Sequence, residues 1–406
     1  MKNILHITPH LGGGIGTVLL NWLTYDKYDS HSVITLDYAN DNAVSTCKAN
    51  NIPLFPQLNY SDISEKIKGY DIVVIHFWNH PLLYDFLIRT QLPESRLIFW
   101  SHVSGANPPY VFNEKLFNMC EKFVFTTPLS FKYVTEHPKF ATILSTGGTE
   151  KFLNLEKEKH EGFNIGYIGT IDFAKMHPDY IETVSKTEAD KIYITGGGKN
   201  SIDFENLSER FVVTGKVNNV AEILSKLDVF AYMLNPNHYG TGEQVIQEAM
   251  ASGVVPVVMN NPCEMSLVKH LETGLIAKSA KEFIDYVNLL KNDTFLREKL
   301  SKNAREYARK NFSVKNLTEM WRKIFDEVME YPKTSKKWFT DKSNFTSYDI
   351  FLESLGKYRD IFEGKTKEEL KAILKQPNWN SDTKGTPKQY YDFLGGEELA
   401  KICELY

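Results

Sequence analysis

Two glutamates, Glu243 and Glu248, stand just after a glycine-bent stretch, Tyr239-Gly-Thr-Gly, and before Gly253 and an apolar run at 254–259. Gly240 and Gly242 let the backbone bend and approach a ligand where a side chain would intrude. Val245, Ile246, Ala249 and Met250 then recur at helical spacing, which predicts a short helix with one apolar stripe. Gly253 suits the end of that helix, and 254–259 reads as a strand covered on both faces. A helix N-terminus that follows a glycine loop, beside the end of a parallel strand, attracts phosphate. Carboxylates in the same element make sense only if the ligand also carries hydroxyls, which charged acceptors bind well. Phosphate and hydroxyls together are the chemistry this stretch can recognise.

Other residues fit the same chemistry. An early glycine turn carries Gly13, Gly14 and Gly16 between a strand at 4–7 and a helical pattern from Ile15 to Leu23. Strand, glycine turn and helix open a nucleotide-binding α/β unit, although Thr17 stands where a dinucleotide fingerprint needs its third glycine. His76 and His102 each close a predicted strand (71–76 and 96–102), and carboxyl ends of parallel strands are where such sheets meet ligands. A nucleotide sugar combines a diphosphate with many hydroxyls.

The elements that must position these residues alternate regularly. Strands are expected at 4–7, 32–36, 71–76, 96–102, 123–127 and 141–144, then at 163–169, 191–198, 211–217, 228–234 and 254–259, with helical patterns between them. Such alternation argues an α/β fold with parallel, doubly wound sheets. A chain of 406 residues exceeds one ordinary core, so two domains with an appendage are expected. At 42% hydrophobic and 24% charged residues the composition is that of a soluble globular protein. A net charge of −4 advertises neither nucleic acid nor an anionic membrane. The cysteines Cys47, Cys120, Cys263 and Cys403 lie far apart, without metal-type pairing, and read as free thiols of a reducing compartment. Met1-Lys2-Asn3 leads straight into the first strand without a signal peptide, and no run is long enough to span a membrane. A cytoplasmic location is expected, with peripheral attachment to the inner membrane surface as its variant.

Glu248-Ala-Met-Ala-Ser-Gly253, followed by Val-Val-Pro-Val-Val258, resembles the donor-binding segment of retaining glycosyltransferases of family 4, which have the GT-B fold. Their motif has a first Glu, a short spacer, then a second Glu followed by Ala-Met-Ala-x-Gly and an apolar strand. Gly240 stands at the position of the first Glu here, and Glu243 is the nearest substitute. The resemblance covers residues 1 to about 330. It implies two Rossmann-like domains facing a cleft: an acceptor-side domain at 1–150, a nucleotide-sugar domain at 151–312, and a crossover helix at 313–330 that returns to the first domain. Residues 331–406 are then a mainly helical extension.

The resemblance also implies roles. Gly13, Gly14 and Gly16 face the donor diphosphate, Lys175 neutralises it, and Thr170 occupies the position of an expected Arg, for which Lys199 or His177 can substitute. His102 lies near the transferred sugar. Val217 reads the base through its backbone, and Gly242, Glu243, Gln244, Val245 and Glu248 complete the donor site. His102, Lys175 and Glu243 are the catalytic candidates, with Glu264, His76 and Lys199 as further ones. No metal and no cofactor is expected; the donor is a substrate, with a UDP-sugar favoured. The acceptor is a glycan, a lipid-linked glycan or another hydroxyl, in bacterial surface glycan synthesis. Rival readings are a phage-type transferase acting on hydroxymethylated DNA bases, supported by the cationic run at 333–345, a sugar-nucleotide epimerase or hydrolase, and a silent binding module.

Overall fold

The computed structural model describes residues 1–171, 175–198, 207–238, 240–338, 345–381 and 383–406. The chain divides into two compact units, one formed by Met1–Ser145 with Leu317–Tyr406, the other by Thr146–Asn316.

The first unit is built on β1 (Asn3–Thr8), β2 (Ser30–Thr35), β3 (Leu54–Pro56), β4 (Ile72–Phe77), β5 (Leu92–Ser95), β6 (Leu97–Ser101), β7 (Lys122–Phe125) and β8 (Phe140–Thr142). Seven of these form one sheet in the order β3-β2-β1-β4-β6-β7-β8, with every neighbouring pair parallel. Every residue of β4 is buried, as expected of a strand covered by helices on both faces. The order reverses between β1 and β4, and in such sheets the crevice at the carboxyl ends of those two strands receives ligands.

The second unit repeats the plan with β9 (Asn164–Ile168), β10 (Lys191–Thr195), β11 (Phe211–Gly215), β12 (Val229–Tyr232), β13 (Val255–Met259) and β14 (Leu275–Ala277). Their order is β11-β10-β9-β12-β13-β14, again parallel throughout. The reversal falls between β9 and β12. Both sheets are Rossmann-like and a mainly helical carboxyl-terminal part is present, as expected.

Residues 317–406 belong to the first unit. Trp321 and Phe325 are fully buried, and both stack on Trp22 of the helix Gly13–Tyr25. Burying Phe325 alone stabilises this contact by about 1.5–3 kcal/mol. The helices Ser347–Ser354 and Pro387–Leu394 pack on the helix Pro81–Arg89. A short strand, β15 (Thr334–Lys336), pairs antiparallel with β5, an element the helical reading of the extension lacked.

Several local expectations change. The region 280–312 is two helices, Ala280–Asn292 and Thr294–Asn311, because the Asp293 side chain caps the second by accepting from the Leu296 amide. The expected helix at 389–405 breaks at Gly395 and Gly396, whose φ values of 67° and 106° no helix accommodates. The glycine turn is shorter than expected: Gly13, Gly14 and Gly16 lie inside the first turns of the helix Gly13–Tyr25. Two lysines of the cationic run are engaged within the fold. Lys333 donates to the Tyr70 carbonyl at 2.6 Å, and buried Lys336 pairs with buried Glu121; Lys342 lies outside the described residues.

Candidate active site

In the second unit, the site is assembled by the segments that leave β9 and β12. Met176 and Leu234 form an antiparallel bridge. The Asn235 amide donates to the Lys175 carbonyl at 2.8 Å, and the His177 amide to the Met233 carbonyl at 3.0 Å. This ribbon carries Lys175 to the carboxyl end of β12. There its ammonium lies 3.1 Å from Glu243 Oε2, and the hydroxyl of Tyr232, the last residue of β12, donates to the same oxygen at 2.7 Å. Glu243 is buried. Burial opposes its charge, but Lys175 and the Tyr232 hydroxyl nevertheless hold its carboxyl below the usual range.

Glu243 immediately precedes the helix Gln244–Ala251, yet its side chain makes no capping bond to it. The carboxylate instead folds back over Gly240. A Cβ at position 240 would lie 1.7 Å from Glu243 Oε1, so the side-chain space of residue 240 is filled by the carboxylate of residue 243. The position where the resemblance expects a glutamate is thus a glycine with a neighbour's carboxylate in its place.

Gln244, Val245 and Glu248 are half-buried along that helix. Gln247 is buried, and its side chain donates to the Gly242 carbonyl at 2.8 Å, pinning the loop to the helix. Among the described residues no donor bonds to the Glu248 carboxylate. Burial pushes its pKa up to about 7, against the opposing charge of Lys151.

Behind these lies a second polar set. His238 Nε2 is 2.9 Å from Glu264 Oε2, and Asn261 donates to Glu264 Oε1 at 2.7 Å. Glu264 is fully buried and already bonded on both oxygens. It holds the 234–240 loop by way of His238, whose Nδ1 accepts the Gly240 amide at 3.0 Å. Sequence reasoning missed Tyr232, His238 and Asn261. Their only signal was position, at the end of a strand and in the loop that follows it.

The other candidates in this unit are less engaged. Thr170 is half-buried, and its carbonyl accepts from Tyr167 at 2.7 Å. Val217 is half-buried in the turn between β11 and the helix Val220–Leu224. His177 accepts the Asp179 amide at Nδ1, and burial lowers its pKa against the opposing charge of Asp179. Lys199 lies outside the described residues.

In the first unit, Gly13, Gly14 and Gly16 form the N-terminal turns of a helix that no side chain caps. His102 follows β6, and its amide donates to the Phe77 carbonyl at 2.8 Å. His76 is fully buried in β4, and its Nδ1 lies 3.0 Å from His102 Nε2. Burial holds the pKa of His102 well below the usual range and that of His76 at about 3. Among the described residues no group of three or more His, Cys, Asp or Glu is placed to hold a metal ion, and no helix is long and apolar enough to cross a membrane.

Residues 150–307, which carry Lys175, Glu243, Glu248 and Glu264, match the family model described as glycosyl transferases group 1. That stretch is similar to a glycosyltransferase domain. A 27% identical relative over 114 residues is a GDP-Man:Man(3)GlcNAc(2)-PP-Dol alpha-1,2-mannosyltransferase of Dictyostelium discoideum; the match covers 24% of this chain and only 22% of that protein. Among solved structures, HepE of Anabaena in complex with UDP-glucose superposes with a TM-score of 0.66 at 14% identity, over 80% of this chain and 100% of that one. A glycosyltransferase from Rickettsia africae gives 0.65 at 16% identity, over 81% and 99%. The fold is therefore that of GT-B glycosyltransferases, and the comparisons together support a glycosyltransferase.

Proposed function

We propose that this chain transfers a sugar from a nucleotide-sugar donor to an acceptor hydroxyl, with retention of anomeric configuration. The observation that carries the reading is the meeting of Lys175 and Glu243, 3.1 Å apart, beside a helix N-terminus with no side-chain cap. Departure of a nucleoside diphosphate builds negative charge on its oxygens. Preorganised donors stabilise that charge without reorganising at the moment of reaction, and here the amides of the helix Gln244–Ala251 and the Lys175 ammonium are the donors. Glu243 orients Lys175 and offers a carboxylate to sugar hydroxyls. Glu248, half-buried and without a donor among the described residues, accepts from the ribose. Gly242, Gln244 and Val245 contribute backbone amides, while Val217 and Thr170 line the nucleotide. In the first unit, Gly13, Gly14 and Gly16 offer helix N-terminal amides to phosphate, and His102 accepts from a sugar hydroxyl. Glu264 and His76 act behind these groups.

A UDP-sugar is the favoured donor, consistent with the UDP-glucose held by the HepE neighbour. The name of the mannosyltransferase relative carries GDP-Man and Man(3)GlcNAc(2)-PP-Dol, which supports a glycan or lipid-linked glycan acceptor; a role in bacterial surface glycan synthesis is proposed from the sequence resemblance alone. The test is incubation with UDP-, GDP-, ADP- and dTDP-sugars, following nucleotide release with and without candidate acceptors. Release that depends on an acceptor, with the product linkage matching the donor's anomer, is the expected result. Free sugar appearing equally without acceptor would mark a hydrolase, and an inverted linkage would remove the retaining mechanism.

A further inference from the structure

The core of the first unit contains a file of four imidazoles that ends on one carboxylate. Asp26 Oδ2 lies 3.2 Å from His31 Nε2. His31 Nδ1 is 3.0 Å from His6 Nε2, His6 Nδ1 is 3.0 Å from His76 Nε2, and His76 Nδ1 is 3.0 Å from His102 Nε2. The rings come from β2, β1, β4 and the residue after β6, so the file crosses the sheet one strand at a time. Its links all have the same sense, Nδ1 of one ring to Nε2 of the next.

That repetition has a chemical consequence. A neutral imidazole has one N–H donor and one lone-pair acceptor, so fixing one end of such a file fixes every ring in it. Asp26 can only accept: its Oδ1 takes the Tyr28 amide at 2.8 Å, and its Oδ2 faces His31. His31 therefore carries its proton on Nε2 and leaves Nδ1 to accept. The same holds in turn for His6, His76 and His102.

The surroundings favour this neutral arrangement. His6, His31 and His76 are buried, and burial opposes charge on His6 and His76. Trp22 meets His6 and His31 edge-on at 5.3 and 5.6 Å, and Trp100 covers His76 and His102 at 5.5 and 4.8 Å. His102 is the one residue of the four that keeps partial exposure.

We infer that Asp26, His31, His6 and His76 are positioning residues that lock His102 as its Nε2–H tautomer, presenting an unprotonated Nδ1 as a hydrogen-bond acceptor. The use of that acceptor rests on the proposal that His102 contacts the sugar of the donor, since a hydroxyl is the donor group such a nitrogen would take. A histidine free to adopt either tautomer would offer the hydroxyl an N–H part of the time and lose the contact.

Nuclear magnetic resonance on the full chain with nitrogen-15 in its histidines tests the lock directly, because long-range proton–nitrogen couplings distinguish the two tautomers. All four rings are expected to carry their proton on Nε2, with His6, His76 and His102 neutral near pH 7. A His102 signal with the proton on Nδ1, or a cationic His31 driving the file the other way, overturns the inference. His6→Phe keeps a ring in the gap while breaking the file, and His102 is then expected to show both tautomers. A His102 that keeps the pure Nε2–H form in this variant overturns the relay, and the wild-type spectrum decides the matter if the variant does not fold. In the transfer assay the same variant is expected to lose about two- to tenfold in kcat/KM, the range for one hydrogen bond, with nucleotide Kd unchanged. If His102→Ala transfers sugar at the wild-type rate while the tautomer is as stated, the sugar contact fails and the lock stands.

Discussion

The two units bury polar networks of opposite character at the same place in the fold, where the strand order reverses. In the first unit the network is a neutral file, His102-His76-His6-His31, with a single carboxylate at its far end. In the second it is charged and compact: Lys175, Glu243 and Tyr232 meet on one carboxylate oxygen, with His238, Glu264 and Asn261 behind. A neutral file conveys orientation over a distance and places no charge at its end. A compact charged cluster fixes a cation where charge will develop. One unit is thereby suited to selecting a hydroxyl, the other to releasing a diphosphate.

The sharpest way to break this contrast is to remove the cation. Lys175→Ala is expected to lower kcat on the order of 100-fold, the effect of deleting one preorganised donor to a developing oxyanion, with a smaller change in nucleotide Kd. It also leaves Glu243 buried without its counter-charge, which costs about 3 kcal/mol of stability, read by urea unfolding. If kcat holds and only KM rises, Lys175 is a docking cation and the cluster does not serve departure.

Glu248→Gln is next, expected to weaken nucleotide binding by roughly ten- to hundredfold through loss of a charge-assisted acceptor. The pKa of Glu248 lies at about 7 rather than the ordinary 4.5, so wild-type affinity should rise as pH increases through 7 and then level off, while the Gln variant stays flat. Stability moves the opposite way. A raised folded-state pKa contributes stability that is full below 4.5 and is lost as pH climbs through 7. The Gln variant escapes that loss and should be the more stable protein at pH 8. Equal pH profiles for the two proteins would remove Glu248 from the nucleotide site.

Gly240→Ala is milder and separates position from charge. The new methyl occupies the space of Glu243 Oε1, and the carboxylate, at the end of a flexible chain, swings away without loss of the fold. A fall in kcat of about tenfold, the scale of one net hydrogen bond, is expected. Unchanged turnover would show that the folded-back carboxylate has no part in the reaction.

The alternation of strands and the stretch 240–258 made the fold and the donor-side helix legible, because periodicity and glycine placement are local properties. The clusters were less so. Tyr232 reads in sequence as one more apolar residue of a buried strand, and only the ribbon between 175–177 and 233–235 shows that its hydroxyl ends on Glu243. The imidazole file was hidden for a related reason. His6, His31 and His76 occupy three different strands, and parallel register rather than spacing brings them into line. In sequence His76 has the position of a ligand-facing strand end, yet it is a fully buried link. The helix breaks at Asp293 and Gly395 were within reach, since a capping Asp and a glycine pair are sequence signals that a continuous helical pattern overrode.

The smallest expected effect on donor handling comes from the region farthest in character from either network. Glu353, in the helix Ser347–Ser354, is buried and gathers donors from three directions. Lys115 lies 2.9 Å from its Oε2, the Trp338 indole and the Asn113 amide each reach the same oxygen at 3.2 Å, and Arg359 stands 3.6 Å from Oε1. These bonds tie the extension to the 110–118 loop of the first unit and line a cavity of about 440 Å³. Glu353→Gln keeps the shape but replaces a charge with an amide, leaving Lys115 and Arg359 facing a weaker acceptor. Loss of charge assistance costs about 1.5–3 kcal/mol, which should appear as a lower Tm. Nucleotide Kd should stay within about twofold, less than one weak hydrogen bond, because no described donor-site residue of the second unit touches Glu353. Transfer to the acceptor is the informative reading. If Kd and transfer both hold while Tm falls, the extension is a structural cap on the first unit. Selective loss of transfer instead would place the acceptor against the surface that Glu353 organises.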